Sequence, residues 1–257
     1  MSFDPLTRLD GKVAVIAGGF GAIGQATAIR LSALGASCVL LHRADDGTSA
    51  FAARAAALPS DRGQRHAALR ADIVDSASLR AAAEAVRASH GRCDILVNSA
   101  GHTRPVPAAD LDALDDALID ELMQANFRGV FATIRAFVPL LRESGDGLIV
   151  NVSSIAGFTG VGSNLAYVAA KAGVDVVGDA LAKAFAPAIR VVSVSPGAVE
   201  SGFVPGRGAT FAETMAKTTP LGRIGKPDDV AATIEALATT LRFVTGTRIV
   251  VDGGRHL

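Results

Sequence analysis

The sequence predicts a doubly wound α/β fold built on a seven-stranded parallel sheet flanked by helices. Three observations carry that expectation. Seven short β-branched or aliphatic runs recur along the 257 residues, they alternate with longer Ala-rich amphipathic segments, and no linker-like change in composition divides the chain. Near-continuous apolarity marks strands covered on both faces, and the segments between them are long enough for crossover helices, so the sheet should be parallel. One domain spanning 1–257 is expected.

The strands are read in order as KVAVIAG (12–18), SCVLLHR (37–43), HAALRAD (66–72), CDILVNS (93–99), GLIVNVS (147–153), IRVVSVS (189–195) and TRIVVDG (247–253). Two helices can be read between them. In NFRGVFATIRAFVPLLR, Phe127, Phe131, Ile134, Val138 and Leu141 recur at spacings of three and four and form one apolar stripe. Val174, Val177, Leu181 and Phe185 do the same further on. Either stripe serves burial against the sheet or a subunit interface, and the sequence leaves both readings open.

Composition narrows the function. Lys plus Arg and Asp plus Glu are equal at 25 each, so no global field favours nucleic acid or an anionic membrane. The amino terminus lacks the apolar core of a signal peptide, and no run reaches membrane-spanning length. A cytoplasmic protein acting on small molecules is expected. Cys38 and Cys93 lie far apart in strand-like runs, which suits buried reduced thiols. No ligand spacing among the histidines suggests a metal site.

The first strand runs into AGGFGAIGQATAIRLSALGA. Glycines at a strand-to-helix turn let backbone N–H groups approach a pyrophosphate at the positive end of a helix. Two registers fit this sequence: Gly19, Gly21 and Gly24, or Gly18, Ala22 and Gly24. Where an NAD site places a carboxylate on the adenosine ribose, the second strand ends in His42 and Arg43. An arginine fork can pair with a 2′-phosphate that a carboxylate would repel. NADP(H) is therefore favoured and NAD(H) is the alternative, with Asp45 and Asp46 close enough to temper Arg43.

The only tyrosine of the chain, Tyr167, lies in SNLAYVAAKAGV four residues before Lys171. On a helix that spacing puts both on one face, a turn apart. A phenol titrates near 10, and lowering that by two to three units takes about 3 to 4 kcal/mol. A unit charge about 4 Å away at an effective dielectric of about 20 supplies about 4 kcal/mol. One lysine is enough in order of magnitude to make this phenol a proton carrier.

Taken together, these motifs resemble the short-chain dehydrogenase/reductase family, from KVAVIAG through PLGRIGKPDDVA to VTGTRIVVDGG. The glycine loop is similar to the family's TGxxxGxG, with Ala17 and Ala22 at the threonine and middle glycine, and the Tyr167/Lys171 pair matches YxxxK. The resemblance implies a Rossmann-type fold with Gly18, Gly21, Ala22, Ile23 and Gly24 at the pyrophosphate. It implies Asp72 and Ile73 at the adenine, from ADIVD. VNSAG is similar to NNAG and implies Asn98, Ala100 and Gly101 along the cofactor. SPGAVES is similar to PGxVxT and implies Pro196, Gly197, Val199 and Ser201 beside the nicotinamide.

The same resemblance supplies a serine thirteen positions before the tyrosine, Ser154, and a helical asparagine, Asn126. In the family mechanism Tyr167 transfers the proton, Ser154 hydrogen-bonds the substrate oxygen, Lys171 holds the cofactor ribose, and Asn126 positions a relay water. The closing segments are most similar to the 3-oxoacyl reductase-like branch. The expected activity is hydride transfer between NADP(H) and a carbonyl or secondary alcohol. An NAD-linked polyol or sugar dehydrogenase is the second reading, and a nucleotide-binding regulator without turnover is the third. A substrate lid is expected over about 201–218, around Phe203, Val204, Phe211 and Met215, facing HTRPVP at 102–107. Arg128 and Arg135 are candidates to dock an acidic carrier protein. A homodimer or homotetramer is expected.

Overall fold

The computed structural model of the chain describes residues 7–43, 48–206 and 208–257. Asp45, Asp46 and the lid's Arg207 lie outside the described residues. Seven strands form one parallel sheet: β1 (Val13–Ala17), β2 (Ser37–His42), β3 (Ala67–Arg70), β4 (Ile95–Asn98), β5 (Gly147–Val152), β6 (Ile189–Pro196) and β7 (Thr247–Val251). Their order is β3-β2-β1-β4-β5-β6-β7. Every ladder is parallel, with Ala17 opposite Leu41 and Asn98, and Val152 opposite Val194. The order reverses between β1 and β4, so a crevice opens beyond their carboxyl ends, where sheets of this type take ligands.

Alternation along the strands feeds two cores. Val13, Val15 and Ala17 face one way with Leu96 and Ile149, under the helices α3 (Ser76–His90), α5 (Gly129–Glu143) and α7 (Leu165–Phe185). Ala14 and Ile16 face the other way with Val97 and Val150, under α1 (Ala22–Ala33) and α9 (Pro227–Ala238). The remaining helices are α2 (Thr48–Ala56), α4 (Asp116–Met123), the single turn α6 (Ala156–Thr159) and α8 (Ala209–Lys217). Cys38 and Cys93 are free and buried, and burial pushes both thiols up, Cys38 to about 12. No helix among the described residues is long and apolar enough to cross a membrane.

The first expected stripe is only partly buried. Ile134, Val138 and Leu141 sit in the core, but Phe131 is 41% exposed under the Arg135 guanidinium. Phe131 shares one regular helix with those three and stands at the edge of their stripe, whereas Phe127 lies before it in a π-helical turn at Gln124–Arg128, between α4 and α5. The π turn spreads more residues over one turn than an α-helix does, so the helical spacing does not carry across it, and the Phe127 ring packs on Gly173 of α7.

Candidate active site

The glycine turn is held by contacts that exclude larger residues. Gly18 has φ +74°, and a Cβ there would stand 2.7 Å from the Ala100 nitrogen. A Cβ on Gly24 would meet the Gly18 carbonyl at 2.3 Å. These two glycines bring β1, α1 and the loop after β4 together. The N-cap of α1 is Gly21, and no side chain caps the helix. Its first-turn N–H groups therefore lack intrahelical partners and present a positive helix end, and Ala22 and Ile23 of that turn line a large cleft. A cradle of this kind fits a dinucleotide pyrophosphate.

The cleft encloses about 1350 Å³ along the carboxyl edge of the sheet. Of the residues expected at the cofactor, Gly18, Gly21, Ala22, Ile23, Arg43, Asp72, Ile73, Ala100, Gly101, Pro196, Gly197, Val199 and Ser201 line it. Gly24 and Asn98 do not. Gly24 packs behind the turn, and Asn98 is buried with its Nδ2 donating to Asn151 Oδ1 at 2.9 Å, so its side chain ties β4 to β5. At the carboxyl end of β2 His42 stacks on Phe51 at 4.2 Å and meets Phe20 edge-on, while Arg43 is exposed. Asp72 Oδ1 accepts from the Val74 nitrogen.

Ser154, Tyr167 and Lys171 line the same cleft. The placement of the pair begins at Asn164, the N-cap of α7, whose Oδ1 accepts from the Tyr167 nitrogen at 2.7 Å. Its Nδ2 donates to the Arg104 carbonyl and to Thr103 Oγ1. Tyr167 thus sits in the first turn, where the helix dipole favours negative charge. Lys171 is buried, its Nζ donating to the Val152 carbonyl at 2.8 Å and lying 5.6 Å from the centre of the Tyr167 ring. Burial pushes the Lys171 ammonium down to about 8, against the opposing field of Asp175 one turn on. Ser154 Oγ accepts from the Ala156 nitrogen at 3.1 Å, leaving its O–H free to turn toward a ligand oxygen.

Asn126 lies in the π turn, wholly buried and off the cleft wall. Its Nδ2 donates to the carbonyls of His102 and Leu122, while Oδ1 has no hydrogen-bond partner among the described residues. That oxygen points at Gly101, where a Cβ would stand 2.5 Å from it. An orphan buried acceptor beside a glycine suits an ordered water.

Phe203, Val204, Phe211, Ala212 and Met215 of the expected lid line the cleft, and the Phe203 ring is 5.9 Å from that of Tyr167. Of HTRPVP only His102 reaches it, paired with Glu121 at 2.7 Å. Thr103 is instead bonded to Ser163, and Val106 belongs to a small core with Leu118 and Leu122. The sequence reading did not single out Asp175, nor Arg255 and His256, which also line the cleft. Asp175 was legible only as the next residue on the face of Lys171.

A dinucleotide cradle joined to a serine, a tyrosine and a buried lysine in one cleft defines a nicotinamide-dependent oxidoreductase. The family described as enoyl-(acyl carrier protein) reductase matches residues 19–256. The chain belongs to the short-chain dehydrogenase/reductase family and is an NAD(P)-dependent oxidoreductase. It is 37% identical to D-threitol dehydrogenase of Mycolicibacterium smegmatis, covering 99% of this chain and 96% of that one. It is 34% identical to a 3-oxoacyl-(acyl-carrier-protein) reductase of Thermotoga maritima, covering 96% and 98%. Among solved structures it is similar to a gluconate 5-dehydrogenase from Burkholderia cenocepacia in complex with NADP and tartrate. That match has a TM-score of 0.86 and 30% identity, and covers 97% of this chain and 96% of that one.

Proposed function

We propose that the protein is an NADP(H)-dependent oxidoreductase of a carbonyl or secondary alcohol substrate, similar in kind to the 3-oxoacyl reductases. The observation that carries the reading is the convergence of Ser154, Tyr167 and Lys171 on the cleft that also holds the uncapped helix end. When bound, the nicotinamide supplies a hydride to the carbonyl carbon or accepts one from the alcohol carbon. In the reducing direction the Tyr167 hydroxyl gives its proton to the substrate oxygen, and in the oxidising direction the phenolate takes it back. Such acid–base help contributes typically ~10²–10⁴-fold. The Ser154 hydroxyl donates to the same oxygen as its charge changes. Lys171 carries the charge that favours the phenolate and reaches the cofactor ribose, and Asn126 Oδ1 holds a water that passes protons outward.

Arg43 supports the NADP(H) preference, since it is an exposed cation on the adenosine wall. The 37% identity to D-threitol dehydrogenase favours a second reading, an NAD-linked polyol or sugar dehydrogenase. A panel of ketones, 3-oxoacyl thioesters and polyols, assayed with NADPH and NADH side by side, separates the two. Turnover with none of them while nucleotide still binds would favour a regulator.

Residues 201–218 act as the lid over the substrate. The outer faces of α5 and α7 form a homodimer or homotetramer interface, which the exposure of Phe131 and Val176 supports. Arg128 and Arg135 are weak candidates for a carrier protein, because Arg128 donates to the Val74 carbonyl and Arg135 to Ser76 Oγ.

A further inference from the structure

The C-terminal segment brings two basic side chains to the cleft that no step above uses. Arg255 and His256 line it together with Ser154 and Tyr167. The His256 ring is fixed on two sides: Nδ1 is 2.8 Å from Asp252 Oδ2, and the ring meets Phe158 edge-on at 5.7 Å. Asp252 is itself locked, with its side chain 3% exposed and the Gly254 and His256 nitrogens donating to it. Burial pushes this carboxyl up, but the hydrogen bonds from His256 and Gly254 outweigh it and hold it below the usual range. With Nδ1 engaged, Nε2 is the group left to meet a ligand, and among the described residues it has no protein partner.

Arg255 is oriented in a similar way. Its Nη1 donates to Thr218 Oγ1 at 2.7 Å and to the Met215 carbonyl at 3.2 Å, so the end of α8 holds the guanidinium. Its Nε and Nη2 have no partner among the described residues. The acidic groups nearby act elsewhere: Glu121 is bonded to His102, and the charge of Glu200 bears on Arg223. Two braced groups are therefore left over in the cleft that Phe203, Phe211 and Met215 also line: the Arg255 fork, which always donates, and His256 Nε2, which donates when the ring carries a proton on both nitrogens.

We propose that this corner binds the carboxylate of the substrate, so that the enzyme acts on oxo acids and hydroxy acids. His256 Nε2 and the Arg255 fork hold the anion while Ser154 and Tyr167 meet the reacting oxygen. The anion contact stands on its own geometry, and only the contact of Ser154 and Tyr167 with the reacting oxygen rests on the oxidoreductase reading. A planar fork and a preoriented imidazolium, its Nδ1–H held by Asp252 and its Nε2–H turned to the ligand, suit a carboxylate, and charge-assisted bonds are the stronger kind. A site built for them discriminates against the uncharged ester, because its donors are then left unpaired.

The test uses the full chain saturated with NADP+ and calorimetric titration with glutarate and with dimethyl glutarate. Glutarate should bind about tenfold to a hundredfold more tightly, the range of one or two charge-assisted bonds. His256→Asn keeps a donor for Asp252 but has nothing in the place of Nε2, and it should lose most of that difference with its melting temperature unchanged. Arg255→Gln should do the same, and His256→Asn remains decisive if that variant loosens α8. Absence of glutarate binding at millimolar concentration, or equal discrimination in wild type and His256→Asn, overturns the proposal. The oxidoreductase reading is scored separately by reduction of acetoacetate and its methyl ester with NADPH. Ester reduction that Tyr167→Phe abolishes, with no preference for the acid, keeps that reading and sinks this one.

Discussion

Lys171 Nζ lies 5.6 Å from the centre of the Tyr167 ring while donating at 2.8 Å to the Val152 carbonyl. The ammonium is thus anchored to strand β5 and acts on the phenol through space. A unit charge within about 4 to 6 Å of the phenol at an effective dielectric of about 20 supplies about 3 to 4 kcal/mol. Tyr167→Phe should lower kcat by ~10²–10⁴-fold and leave the NADPH dissociation constant unchanged. Lys171→Met should lower kcat and also weaken nucleotide binding. Steady-state kinetics and nucleotide titration of both variants check this, and undiminished ketone reduction by Tyr167→Phe would refute the assignment.

The buried lysine also shapes stability. Its folded pKa is pushed down to about 8 by burial, from an ordinary value of 10.5. Between those values the unfolded chain holds the proton and the folded chain has released it, so stability rises with pH across that window. The full shift corresponds to about 3 kcal/mol. Urea denaturation from pH 7 to 10.5 should show this rise in wild type relative to Lys171→Met. Cys38, raised to about 12, pulls the other way above the ordinary thiol range, but it is present in both proteins and cancels in the difference.

Asp175 is the residue that opposes that burial. It lies one turn beyond Lys171, is 2% exposed, and has no hydrogen-bond partner for either oxygen among the described residues. Arg248 Nη1 stands 3.9 Å away. Beneath α7 a polar row crosses the sheet, with Asn98 opposite Asn151, Asn151 opposite Ser193 and Ser193 opposite Arg248. Asp175→Asn removes the field that favours the ammonium, so Lys171 loses its proton at lower pH. Activity that needs the ammonium exists below that pKa, and the alkaline limb of the kcat profile should therefore move to lower pH. A merely structural role would lower kcat at every pH without moving the limb.

Strands, topology and the Tyr167/Lys171 pair were legible because each follows from local rules: apolar runs of strand length, crossover spacing and the helical repeat. The exposure of Phe131 was not, because it stands at the edge of its stripe, where burial depends on what packs alongside, and the π turn that holds Phe127 leaves no periodic mark. Asn98 was read as facing the cofactor, but the pleat turns it toward Asn151, and a strand's last residue shows its face only once its partner is known. Arg255 and His256 were not singled out, since nothing local in the sequence says that the residues after β7 return to the cleft.

The left-handed Gly18 gives a prediction about backbone. Gly18→Ala forces a side chain into φ +74° and places its Cβ 2.7 Å from the Ala100 nitrogen. Strain of this kind costs about 1–3 kcal/mol, and the collision adds to it. The variant should melt earlier and bind NADPH more weakly, because the same turn positions the first N–H groups of α1. Calorimetric melting and nucleotide titration report both losses together. Unchanged affinity in a folded variant would mean that the turn does not hold the phosphates.

Arg43 tests which nucleotide the cleft prefers. Its guanidinium is exposed on the cleft wall next to His42, which stacks on Phe51, and under the proposed NADP(H) reading a 2′-phosphate there would supply a doubly charged partner. An exposed pair is screened by solvent, so the loss on substitution is moderate, about tenfold for a charge-assisted bond. Arg43→Leu should raise the KM for NADPH by about that factor and leave the KM for NADH unchanged. Arg43→Glu should go further, since a carboxylate repels the phosphate and can accept from the ribose hydroxyl of NADH. The ratio of kcat/KM for the two nucleotides is the deciding quantity. If it is the same in wild type and Arg43→Glu, the preference is set elsewhere on the adenosine wall, and the NAD-linked dehydrogenase reading gains ground.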